Sequence, residues 1–152
     1  MDYLINILIE EAPKTIINTI VALLTTALVA SFVFIMTVFS KNREIKKLIL
    51  KPGRQFYLYY RGENHEEGKT ITFCSDGSVG EGGNENECTW KIYWGSLIIN
   101  NQTGRPHSIF KWDKHQGKLV HNNDVNLPSI MGQVLAPDYI PISHNEDFKD
   151  QH

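Results

Sequence analysis

Between Thr15 and Ser40 the chain carries no charged residue. The run is dominated by Ile, Leu, Val and Phe, and it exceeds the roughly 20 apolar residues that a helix needs to cross a bilayer. Each such side chain favours insertion by about 0.3–0.6 kcal/mol. All 15 basic and 17 acidic residues lie outside this run. The bulk figures of 21% charged and 41% hydrophobic therefore average two unlike parts. What is left for a soluble fold is roughly a hundred residues, enough for one compact domain.

A cleaved signal peptide has a basic leader, an apolar core of about 7–15 residues and a small-residue cleavage site. Here Asp2, Glu10 and Glu11 stand against Lys14 before the run, and Ser40-Lys41-Asn42-Arg43 follows it. The segment reads as an uncleaved anchor. Lys41, Arg43, Lys46, Lys47, Lys51 and Arg54 come after it, against the single acid Glu44. Positive charge stays on the cytoplasmic side, so the C-terminal part is expected in the cytoplasm. Ala22, Thr26 and Ala30 form a row of small residues at helical spacing, of the kind that lets helices approach in lipid. Tyr3–Ile9 is too short to span; it is expected to lie in the interface or to begin a longer helix broken near Pro13.

The order along the chain is an N-terminal segment (1–14), a transmembrane helix (15–40), a basic juxtamembrane linker (41–53), a β domain (54–143) and a polar tail (144–152). In the linker, Asn42–Leu50 reads as a short amphipathic helix with Ile45, Leu48 and Ile49 on one face, stopped by Pro52-Gly53. Beyond it the helical period disappears. Candidate strands are Gln55–Tyr60, Lys69–Phe73, Cys88–Trp94, Leu97–Asn100, Ser108–Trp112 and Lys118–His121, with shorter runs at Ser78–Gly80 and Gln133–Ala136. Turn signals such as Asp76-Gly77, Gly95-Ser96 and Asn122-Asn123 separate them. The expected fold is mainly β, a small antiparallel, lipocalin-like barrel of about eight strands behind a transmembrane helix.

The net charge of −2 does not suggest a binder of DNA or RNA. Cys74 and Cys88 lack metal-ligand spacing and read as small strand residues, reduced in the cytoplasm. The six histidines do not cluster at ligand spacings, and those near strands are expected at the surface or the rim. No nucleophile, metal or cofactor motif is present, so neither enzyme chemistry nor a cofactor is expected. The most unusual stretch is Gly80-Glu81-Gly82-Gly83-Asn84-Glu85-Asn86-Glu87. Its glycines permit close backbone approach and its asparagines offer paired donors and acceptors; it reads either as a solvated turn or as an edge-reading loop.

The span Thr15–Phe39, the strand-and-turn order of Gln55–Ala136, and the run Phe73-Cys74-Ser75-Asp76-Gly77-Ser78 followed by Asn84-Glu85-Asn86-Glu87 and Trp90 together resemble a class of bacterial anti-phage effectors. These belong to cyclic-oligonucleotide signalling systems (CBASS) and fuse membrane helices to a compact β-barrel. The family pairs two such helices, and one segment here is long enough. The resemblance implies a barrel that binds a cyclic dinucleotide, a homo-oligomer that assembles on binding, and anchors that disrupt the inner membrane. Residue chemistry then suggests Tyr57 and Tyr59 for stacking on bases, Asn84 and Asn86 for base edges, and Lys91 or Arg105 for phosphate. The competing expectation is a membrane-tethered, lipocalin-like module that binds a lipid, a glycan or a protein without killing.

Overall fold

The computed structural model describes residues 2–61 and 67–137, with side chains from residue 14 onward. The described residues form one helix, α1 (Asp2–Ile49), and seven strands: β1 (Phe56–Tyr59), β2 (Gly68–Ile71), β3 (Thr89–Tyr93), β4 (Ser96–Asn100), β5 (Pro106–Asp113), β6 (Lys118–His121) and β7 (Val134–Pro137). The chain divides into two units, Met1–Ser40 and Lys41–His152. The C-terminal tail lies outside the described residues.

The first unit is helix throughout its described length, and Pro13 does not break it. Its side chains from Ile16 to Phe39 are exposed along the apolar run. Among the described residues this is the one helix long and apolar enough to cross a membrane. Its hydroxyls are satisfied inside the helix. Thr19 donates to the Thr15 carbonyl, Thr25 to Val21, Thr26 to Ala22, Ser31 to Ala27 and Thr37 to Val33, each at 2.8 Å. Such back-bonding removes the penalty of an unpaired donor in an apolar medium.

The second unit begins with the last two turns of the same helix. Ile45 and Ile49, spaced by four, share a face and are 0% and 2% exposed. They belong to the same core as Phe56, Leu58, Ile71, Leu97, Ile99, Phe110, Leu119 and Leu135. The residues 41–49 are thus helical, and their apolar stripe faces protein. Leu50 N still bonds the Lys46 carbonyl at 3.0 Å, and Gly53, at φ 71°, lets the chain turn into β1.

The strands form one antiparallel sheet in the order β2-β1-β7-β6-β5-β4-β3, curled into a half-barrel. Register decides which side chains enter. Leu58 stands opposite both Lys69 and Leu135, Leu119 opposite Leu135 and Trp112, Phe110 opposite Leu97 and His121, and Ile99 opposite Trp90 and Ser108. Direct partners share a face, so all of these point inward. Phe56, Phe73 and Trp90 form an edge-to-face chain, with centroids 5.5 Å and 6.0 Å apart. Each such pair adds about 0.5–1.5 kcal/mol beyond its burial.

Seven strands are seen where about eight were expected. Ser78–Gly80 contributes only the isolated bridges Phe73↔Val79 and Ser78↔Thr89, because the chain doubles back at Gly77 (φ 88°) before a ladder can extend. This tight hairpin still links the two edges of the sheet: Val79 N bonds the Cys88 carbonyl (2.9 Å) and Trp90 N bonds that of Gly77 (2.7 Å). Neither cysteine is a strand residue: Cys74 is exposed in that hairpin and Cys88 half-buried before β3, both as free thiols.

Because Ile45 fills space between strands, Ile45→Ala is expected to destabilise the domain by about 2–5 kcal/mol, read as a lower denaturation midpoint of the full chain in detergent. Lys46→Ala, one residue on and exposed, is expected to change it by less than about 0.5 kcal/mol.

Candidate functional site

The inward-facing side chains are not all apolar. Lys69 enters the half-barrel because Phe56↔Ile71 and Leu58↔Lys69 hold β2 in that register. Its Nζ lies 2.9 Å from Glu87 Oε2, and the two side chains are 19% and 6% exposed. This pair joins edge strand β2 to the residue just ahead of edge strand β3, so it spans the seam of the sheet. A pair this well buried is an expensive arrangement unless it is closely matched.

The loop that delivers Glu87 is the glycine-rich stretch. A Cβ on Gly82 would run into the Thr70 carbonyl oxygen, and one on Gly80 would crowd Thr72 Oγ1. The close backbone approach that glycine allows is therefore to the chain's own β2 edge. Asn84 Oδ1 accepts from Asn86 N at 2.8 Å, a local turn, and Glu87 N donates to the Asn84 carbonyl at 3.0 Å.

Opposite this loop, the register between β4 and β5 slips at Ile99/Asn100, so that Asn100 pairs Pro106 and Ile99 pairs Ser108. His107 is the extra residue of this bulge. Burial holds its imidazole below the ordinary histidine pKa. Glu87 acts in the opposite direction, and the charges of Lys69 and His121 lower it further. These four groups therefore share one electrostatic neighbourhood. Ser108 (1% exposed), His121 (3%) and Gln133 (3%) complete a buried polar layer at the strand ends away from the β3–β4 and β5–β6 turns.

His121 bonds Ser129 Oγ through Nε2 at 2.8 Å. The pair has the outline of a nucleophile and its base. The backbone N–H of Asn123 donates to His121 Nδ1 at 3.1 Å, and Asn123 Oδ1, an acceptor, lies 3.3 Å from the same nitrogen. Both ring nitrogens are thus engaged by the loop that follows β6. The arrangement fastens the 122–132 loop, with Gly132 N donating to Asn123 Oδ1 at 2.8 Å. Two buried acceptors, Gln133 Oε1 in the layer and Asn100 Oδ1 at the end of β4, have no donor. Each such group costs about 1–3 kcal/mol.

The residues that the sequence suggested for ligand contact are dispersed. Asn84, Asn86 and Arg105 come to the same end of the domain, because Gln102 N donates to the Glu85 carbonyl at 2.8 Å; all three are exposed. Tyr57 and Tyr59 lie on the outer face of β1 with their rings in edge contact at 4.6 Å, and Tyr57 covers Gly68. Lys91 is exposed on the outer face of β3, separated from β1 in the sheet by β4, β5, β6 and β7.

Lys69, Glu87, His107, His121 and Gln133 were not singled out from sequence, and His121 is buried where a surface or rim position was expected. The signal was available in part. Lys69, Ser108, His121 and Gln133 each occupy the inward phase of an apolar alternation, as in Gln133-Val134-Leu135 or Leu119-Val120-His121. No family model, curated protein or solved structure matches the chain.

Removing the Lys69 ammonium strands a buried carboxylate. Lys69→Met is expected to cost about 3–5 kcal/mol, and adding Glu87→Gln to recover most of it, both read from denaturation midpoints. His107 has its pKa lowered by folding, so the unfolded chain takes up the proton first as pH falls. Its contribution is complete above about pH 6.5 and is lost as pH drops through the lower folded value. Melting of the wild type is expected to fall between pH 7.5 and 5.5 more steeply than that of His107→Gln.

Proposed function

We propose that this protein is a membrane-anchored receptor. In this reading α1 spans the inner membrane, the basic residues from Lys41 to Arg54 hold the β domain in the cytoplasm, and that domain binds a small nucleotide of the cyclic dinucleotide class. The observation that carries the reading is the buried polar layer at one end of an otherwise apolar half-barrel. Lys69 offers a cationic donor for phosphate, and His107, whose pKa burial lowers, a neutral imidazole for hydrogen bonding. Gln133 Oε1 and Asn100 Oδ1 are acceptors suited to the exocyclic amines of a base. Asn84, Asn86 and Arg105 stand exposed around the same end and would meet the ligand first.

The seam supplies a response. A phosphate that draws Lys69 away from Glu87 changes the contact that joins β2 to the β3 side, and the Phe73–Gly80 hairpin then completes a small barrel around the ligand. Shifts of the interior side chains reach Ile45 and Ile49, which lie on the helix that carries the span. Binding shifts an assembly equilibrium only by its differential affinity for the assembled state. Rows of small residues such as Ala22, Thr26 and Ala30 allow the helices of a homo-oligomer to pack and disturb the bilayer, as an anti-phage effector requires. A lipid-carrying barrel is less well supported: Phe56, Phe110 and the two helix isoleucines fill the interior.

The test is titration of the full chain in nanodiscs with a panel of cyclic dinucleotides, read by calorimetry. One member is expected to bind at sub-micromolar Kd, and His107→Ala and Gln133→Ala to weaken it roughly tenfold or more, with Lys91→Ala as a control on the outer face. Failure of a folded protein to bind any of them would redirect the assignment to a tethered module with a protein partner.

A further inference from the structure

The turn between β3 and β4 has a composition that its own geometry does not explain. Tyr93 pairs with Ser96, which leaves Trp94-Gly95 as a two-residue hairpin turn. Both residues have positive φ, 50° and 72°. This is the type I′ turn, which favours Asn-Gly because a bulky side chain is poorly tolerated in the left-handed region. Tryptophan occupies it nonetheless and is 56% exposed; Tyr93 beside it is 60% exposed. Their rings meet edge-on with centroids 6.0 Å apart.

The turn is tied to the start of the second unit. Gly95 N donates to Asn42 Oδ1 at 2.7 Å, and the Lys41 side chain packs against Gly95. Asn42 is three residues beyond Phe39, the last apolar residue of the uncharged run. Three residues of chain reach at most about 11 Å, and the Asn42 side chain with its 2.7 Å hydrogen bond adds several ångströms more. Whatever direction the apolar helix takes, the turn is therefore tethered within roughly 17 Å of its end. A bilayer's headgroup zone is about 5–8 Å deep on each side of the hydrocarbon core. Tryptophan and tyrosine are the residues that favour this zone, with an apolar body and a polar handle. Exposed Lys41 and Arg43 border the turn along the helix, and Glu44 is held by Lys114 at 3.3 Å. Anionic headgroups complement these cations.

We propose that the Tyr93–Trp94 corner is a membrane-interface anchor, inserted in the headgroup layer as a second point of attachment beside the spanning helix. The inference rests on the reading of α1 as a span. Two attachment points would fix how the domain faces the bilayer, which a single helix leaves free to rotate.

The test reconstitutes the full chain into anionic vesicles and compares ordinary lipid with lipid brominated high in its acyl chains. Of the three tryptophans, Trp90 is 9% exposed and Trp112 packs against the core. Trp94 is therefore expected to carry most of the bromolipid quenching, and Trp94→Phe and Trp94→Asn each to remove at least half of it. Trp94→Asn, which places in the turn the residue it prefers, is expected to do so while keeping or raising the melting temperature, which separates a membrane role from a folding role. If the protein floats with the vesicles but quenching is the same in wild type and both variants, the anchor is disproved and the span stands. Shielding of Trp94 from aqueous iodide as well as from bromolipid would place it against protein, another copy or a partner, and equally disprove it. If the protein does not float with vesicles, the spanning reading fails and the anchor fails with it.

Discussion

Burial of Ile45 and Ile49 in the β domain is the contact on which the architecture turns. A seven-stranded curled sheet of short strands has one concave face to fill, and its own side chains must do so without leaving a channel. Here two isoleucines from the end of α1 enter between the strands, and together they are as fully buried as Phe56 or Phe110. The β domain thus includes a piece of helix as a core component. Cutting the chain at Pro52, where composition suggests a boundary, would remove that component and expose the apolar surface it covers.

The same packing explains where polar groups are admitted. At the end occupied by the helix the interior is apolar, and the outer contacts made by Asn42 with Gly95 and by Glu44 with Lys114 are polar and local. At the other end no helix enters among the described residues, and the inward positions go to Lys69, Ser108, His121 and Gln133. A core built only for stability would place apolar residues there, because a buried ion pair is seldom more stabilising than a hydrophobic replacement. Stability alone therefore does not account for placing Lys69–Glu87 at the seam, with His107 in its electrostatic neighbourhood.

Much of the fold was legible because its signals are local. A charge-free run identifies the apolar helix without any tertiary information, and turn residues at short intervals mark most of the strands. Gln133–Ala136, read as a short strand, overlaps β7 closely. The alternation puts Phe56 and Leu58 on one face of β1 and Tyr57 and Tyr59 on the other, but which face turns inward becomes visible only in the structure, where Phe56 and Leu58 are buried. The candidate site was much less legible, because it depends on which strands are neighbours. Lys69 becomes an interior residue only through its pairing with Leu58, and Glu87 meets it only because the sheet curls. The run Ile45-Leu48-Ile49 with flanking lysines has the same pattern whether its apolar face meets lipid, solvent-exposed protein or a core. The glycines at 80, 82 and 83 announced close approach, but sequence does not say to what; Gly82 approaches β2, Gly80 the residue Thr72 just after it, and Gly83 the Glu87 carbonyl of its own loop.

The Ser129–His121 pair shows how one close distance can serve structure. Distance alone would nominate a nucleophile and base. The same imidazole meets the Asn123 N–H and Asn123 Oδ1 at Nδ1 and Ser129 Oγ at Nε2, so both of its nitrogens are tied into one loop. A histidine used in this way joins β6 to the loop that covers the polar layer, and Asn123, at φ 57°, turns back so that its side chain receives Gly132 N.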